Sequence, residues 1–184
     1  MKSITKFLIL ISLILLVPNL CIRSKAKSTV LPASTVVQAP RVLLCSCYAV
    51  FAAAQSLALP NQPANVATKC TSLQSKGINL SKYAYEELGY NKQLRLTRTS
   101  VGVDTCLAKF STSPVVLDIT WGTSNKQHVV YVVDVTPTQI IARDQQNAQN
   151  QMVFKKSTGA LLSANSEGFW STKTAKIDAI RCTN

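Results

Sequence analysis

The sequence predicts an α+β domain in which helices from the N-terminal half pack on an antiparallel β-sheet formed by the C-terminal half. Three observations lead to this. Between Ser46 and Gly89, Ala-rich and polar runs are bounded by capping residues, Pro and Gly, as helices are. Beyond about Gln93 the pattern becomes short β-branched or alternating runs divided by turn residues, as strands are. With 184 residues, the chain has room for one ordinary domain with its own core.

Taken in order, the first residues read as an export segment. Lys2 and Lys6 precede an apolar run, Phe7 to Leu20, that is shorter than the roughly 18 residues of a membrane span. Residues 1–27 are therefore expected to be a signal peptide, or a membrane anchor if retained. The best small-residue exit is Ser24-Lys25-Ala26, whereas a lipid-carrying role for Cys21 fits poorly behind the bulky Leu20. Residues 28–40, rich in Ser, Thr and Ala, read as a linker or extended arm, and residues 41–184 as the domain.

Within the domain, Ser46 is a good N-cap and the Ala-rich run Tyr48 to Leu57 predicts a helix starting at Cys47 and stopped by Pro60 and Pro63. A second helix is expected from about Asn65 to Leu73, and a third from Ser81 as N-cap to Leu88, ended by Gly89. Strands are expected at Gln93 to Thr97, Val115 to Trp121, Gln127 to Val135, Gln139 to Arg143 and Gln151 to Lys155. Asp104 to Phe110 suits a short helix between strands, and Ala175 to Cys182 a closing strand.

Charge and cysteines narrow the function classes. The formal charge of +12 falls when Lys2, Lys6, Arg23, Lys25 and Lys27 leave with the signal, to 15 basic against 8 acidic residues, a net +7. The remaining basic residues are scattered without interleaved aromatics, so no nucleic-acid partner is expected. Beyond Cys21 stand Cys45, Cys47, Cys70, Cys106 and Cys182, an odd number for an oxidising compartment, so one thiol is expected to stay free. Cys70, Cys106 and Cys182 are expected to supply most of the disulfide partners. A Cys-x-Cys pair with a single His lacks the paired spacing of a zinc site, and no metal or other cofactor is expected.

A thiol in the first turn of a helix faces backbone N–H groups and the positive end of the helix dipole, which favour the thiolate. Cys47 has the better helix start, while Cys45 remains the alternative. The sole histidine, His128, opens a strand, and Asp144 ends the next one. If Pro137-Thr138 turns the hairpin, the two come side by side, and Asp144 can fix the imidazole tautomer while the other ring nitrogen takes the thiol proton.

These residues resemble a family. Ser46-Cys47-Tyr48-Ala49 is similar to the helix start of papain-like cysteine proteases, and the order Cys, then His on a strand, then Asn or Asp sixteen positions later matches that clan. The passages Pro114-Val115-Val116-Leu117-Asp118, His128-Val129-Val130-Tyr131-Val132-Val133 and Ile140-Ile141-Ala142-Arg143-Asp144 resemble the bacterial bacteriocin-leader peptidases. The likeness runs from Gln38 to about Phe154. It implies a papain-like fold and a Cys47, His128, Asp144 site, with Gln38 binding the oxyanion. The family usually sets that Gln about six residues before its nucleophile; Gln38 is seven before Cys45 and nine before Cys47. Asp-Pro, frequent in this branch at the end of the carboxylate strand, is here Asp144-Gln145.

The expected protein is thus an exported cysteine peptidase-like enzyme, secreted or periplasmic and monomeric, acting on a peptide or protein substrate, with membrane contact only if the N-terminal segment is retained. Two alternatives stand beside it: a toxin-like deamidase or transglutaminase on the same fold, and an idle papain-like module that binds peptides or a structural secreted domain with both Cys45 and Cys47 in disulfides. Free thiols separate the last from the others.

Overall fold

The computed structural model describes residues 30–36, 44–90, 93–97, 100–122, 126–164 and 174–183. The signal or anchor expected over residues 1–27 lies outside them. Among the described residues no helix is long and apolar enough to cross a membrane.

The first helix, α1, spans Cys45–Ser56 and is buried all round from Cys47 to Ala54. A helix without a polar face belongs inside a domain, and the small side chains of Ala49, Ala52, Ala53 and Ala54 let neighbours approach on every side. The helix starts two residues earlier than the Ser46 cap predicts. Leu44 is the cap residue, and its carbonyl accepts from the N–H groups of Cys47 (3.0 Å) and Tyr48 (3.1 Å). Leu44 is itself buried, so apolar anchoring takes the place of a side-chain cap and Ser46 lies within the first turn.

Helix α2, Val66–Gln74, begins at Asn65, whose side chain accepts from the Thr68 N–H at 3.0 Å. Helix α3, Leu80–Glu87, begins one residue before the Ser81 cap position. The Ser81 hydroxyl is engaged elsewhere, accepting a hydrogen bond from the Arg181 guanidinium. Helix α4 spans Ser100–Leu107, four residues ahead of its expected start at Asp104.

Seven strands follow the expected pattern, with one addition: β1 Gln93–Thr97, β2 Val116–Trp121, β3 Lys126–Val135, β4 Gln139–Asp144, β5 Asn147–Lys155, β6 Leu161–Ala164 and β7 Ala175–Thr183. Every pairing is antiparallel, in the order β1-β7-β2-β3-β4-β5-β6. The architecture is α+β: three helices lead the chain, and α4 falls between β1 and β2. Its strand β6 has no β-branched residue and forms by pairing with β5.

The sheet curls until the β5–β6 connection reaches β7, where Ala160 bridges Lys176 and the Ile177 N–H bonds the Gly159 carbonyl at 2.8 Å. Two cores result. Val129, Tyr131 and Val133 of β3 join α1, α2 and α3 in one, while Val130 and Val132 join Ile140, Met152, Phe154 and Ile177 in the other. Strand β3 is thus buried on both faces, which explains its near-continuous apolar run.

The 28–40 segment does more than link. Residues 30–36 lie against α1 and β3: the Leu31 N–H bonds the Val133 carbonyl at 2.9 Å, and the Gln55 side chain accepts from the N–H groups of Thr35 (2.7 Å) and Val36 (3.0 Å).

Two disulfides staple the layers. Cys47 of α1 joins Cys70 of α2, and Cys106 of α4 joins Cys182 of β7. In the chain-entropy account, loops of 23 and 76 residues correspond to about 3 and about 4.5 kcal/mol of stabilisation. Such bonds persist in an oxidising compartment.

A polar cluster ties α3 to the sheet. Arg181 of β7 bonds Asp118 of β2 at 2.6 Å as well as Ser81, and the Tyr85 hydroxyl donates to the carbonyls of Pro114 (3.0 Å) and Arg181 (3.2 Å). The Arg181 and Asp118 side chains are 14% and 15% exposed, which places the pair between a surface bridge and a fully buried one. Asp118→Ala strands the guanidinium and is expected to lower the unfolding free energy by about 2 kcal/mol or more. Asp118→Ala combined with Arg181→Met should recover most of that loss in urea melts. Recovery of nothing would assign the cost to packing rather than to the stranded charge.

Candidate functional site

Three elements converge at one end of α1. Cys45 occupies the first position of α1, His128 lies near the start of β3, and Asp144 ends β4. The β3–β4 hairpin turns at residues 136–138, with the Thr136 N–H bonding the Gln139 carbonyl at 2.9 Å. Its ladder closes at the Tyr131–Arg143 pair, and His128 and Asp144 stand just beyond it.

The expected pairing of these two is found: Nε2 of His128 donates to Oδ1 of Asp144 at 3.0 Å. That oxygen also accepts from the Gln146 backbone N–H at 2.9 Å. The Cys45 side chain also acts on the ring, favouring its protonated form. With Nε2 committed to Asp144, Nδ1 is the ring nitrogen left for the thiol.

The nucleophile position requires a correction. Cys47, favoured for its helix start, is bonded to Cys70 and is fully buried. Among the described residues, the one cysteine outside a disulfide is Cys45, and it is half-buried. Two positions along a helix turn the side chain by about 200°, so Cys45 and Cys47 point in nearly opposite directions. One meets α2, the other meets His128. Because α1 starts at Cys45, the dipole and backbone N–H groups of the first turn act on Cys45 itself. The signal for it in the sequence is Gln38, whose spacing fits Cys45 better than Cys47. Gln38 lies outside the described residues.

His128 is 8% exposed and Asp144 1%, while Cys45 as a residue is half-buried. Burial disfavours the His128 cation, but hydrogen bonds to Asp144 and Cys45, together with the negative charge each can carry, outweigh it and push the imidazole from its ordinary 6.5 up to about 9. The ring is therefore an imidazolium at neutral pH, placed between a carboxylate and a thiol.

Gln145, passed over in the sequence, is fully buried, and its Nε2 donates to the Cys45 carbonyl at 3.2 Å. No group of three or more His, Cys, Asp or Glu side chains suited to a metal occurs among the described residues. The arrangement suits nucleophilic chemistry on an acyl carbon: a thiol outside any disulfide, a protonated base beside it, and a carboxylate that orients the base. No protein-family model matches the chain, and a search of characterised proteins finds no match.

The raised His128 pKa has a thermodynamic consequence. A histidine whose folded pKa exceeds its unfolded value contributes stability that is fully present below the unfolded pKa, here about 6.5, and is lost as pH rises through about 9. Thermal melts of wild type and His128→Gln should therefore differ most below pH 6.5 and converge above about pH 9. A difference that grows with alkalinity would show that the imidazole is not held protonated.

Proposed function

We propose that the protein is an exported papain-like cysteine hydrolase or acyl transferase that acts on peptide or amide bonds through Cys45, His128 and Asp144. The observation that carries this reading is the free Cys45 at the start of α1, acting on the single histidine, whose Nε2 is held by a buried carboxylate. The α+β layout, with a nucleophile-bearing helix end against a strand-borne histidine, supports the papain-like assignment. Two disulfides and a signal-like N-terminus support export.

In the reaction, the Cys45 thiolate attacks the carbonyl carbon, forming a C–S bond and an oxyanion. First-turn N–H groups of α1 and the Gln38 amide stabilise that charge. The His128 imidazolium gives its proton to the leaving nitrogen as the C–N bond breaks, leaving a thioester. Neutral His128 then takes a proton from water, whose oxygen attacks the thioester. Breaking the C–S bond releases the acid and restores the thiolate–imidazolium pair. Asp144 holds the ring in place throughout without taking the proton.

Incubation with a peptide library, read by mass spectrometry, tests this. Cys45→Ala and His128→Ala should each lower turnover by a factor on the order of 10⁴ or more, and Asp144→Ala by a smaller factor. Cys47→Ala/Cys70→Ala, assayed below its lowered melting temperature, should lose far less turnover than Cys45→Ala, its loss limited to the loosened setting of α1. Full activity in His128→Ala would refute the reading, and loss confined to the Cys47 variant would return the nucleophile to Cys47.

A further inference from the structure

The Asp144 turn holds more than the carboxylate. Gln145 and Gln146 form a two-residue connection between β4 and β5, a length that normally selects left-handed backbone at one or both turn residues. Among the described residues only Ala58 and Asn61, apart from glycines, have positive φ, so neither glutamine does. The mismatch is taken up by a register slip between Arg143 and Asp144, and slips of this kind re-aim side chains beside functional sites.

Here the two glutamines divide two tasks. The Gln146 N–H bonds Oδ1 of Asp144, the oxygen that also receives His128. The buried Gln145 carboxamide crosses to the Cys45 carbonyl, joining positions 100 residues apart in the chain. Each contact fixes one partner of the His128 ring, the first its carboxylate and the second the backbone of its thiol.

We propose that Gln145 is a positioning residue that ties the first turn of α1 to the Asp144 turn and thereby keeps the Cys45 sulfur within reach of His128. This rests on the acyl-transfer reading of the site. Gln145 touches neither substrate nor reacting atoms. The charged groups set against the thiol are His128 from β3 and, behind it, Asp144 from β4, while Arg143 on the same strand acts on Tyr131.

The test is the rate of Cys45 alkylation by iodoacetamide against pH, measured on the folded, disulfide-intact protein. Gln145→Met keeps the side-chain length and removes the donor; Gln145→Asn keeps the amide but falls one methylene short of the carbonyl. In both, alkylation at about pH 6 should fall about tenfold, as the sulfur moves out of reach of the His128 ring, with both disulfides and a cooperative melt retained. A wild-type alkylation profile with only a lowered melting temperature would overturn the proposal and make Gln145 merely structural. Should Gln145→Met fail to fold, Gln145→Asn is read by the same criterion. His128→Ala separates the two levels of the argument. If it abolishes the acid-side reactivity while both Gln145 variants keep it, only the positioning role is overturned. If His128→Ala itself keeps the wild-type profile, the acyl-transfer reading falls as well.

Discussion

The rotational setting of α1 is the constraint on which the site depends. The helix is buried all round, so apolar burial alone specifies its depth better than its rotation about its own axis. The Cys47–Cys70 bond supplies a directional tie to α2 on one side, and the Gln145 contact with the Cys45 carbonyl supplies another at the sheet. With Cys47 held toward α2, Cys45 must point the other way, to where β3 begins and β4 ends. The disulfide that removes one candidate nucleophile thus orients the other.

The sheet contributes a second kind of order. A strand buried on both faces, β3, has little freedom to slip, because a one-residue shift would exchange Val129, Tyr131 and Val133 with Val130 and Val132 between two differently shaped cores. His128 therefore has a fixed height relative to α1. Asp144 inherits its position from the same hairpin, and the slip beside it turns the carboxylate into hydrogen-bonding range. The carboxylate and imidazole at strand ends are buried, while Cys45 at the helix end is half-buried.

Much of this was legible in the sequence, for identifiable reasons. Strands β2, β3 and β4 announce themselves through β-branched runs punctuated by Pro137 and by Gly122, and hairpin logic alone brings His128 to Asp144. Local signals failed where tertiary partners decide. Ser46 and Ser81 have the chemistry of caps, but Leu44 anchors α1 by burial and Arg181 takes the Ser81 hydroxyl. Strand β6 exists because β5 offers an edge, with no propensity of its own. The choice between Cys45 and Cys47 turned on Cys70, a residue on a different helix, which no feature of the Cys-Ser-Cys segment specifies. Gln145 carried a faint mark: a glutamine pair in a tight turn where Gly or Asn would be usual.

The central claim is that Cys45 is the free and activated thiol. Limiting iodoacetamide applied to the folded, unreduced protein, followed by peptide fragmentation that resolves Cys45 from Cys47, addresses it directly. The account predicts label on Cys45 alone among the five domain cysteines. Label on Cys47, with Cys45 found in a disulfide, would contradict it.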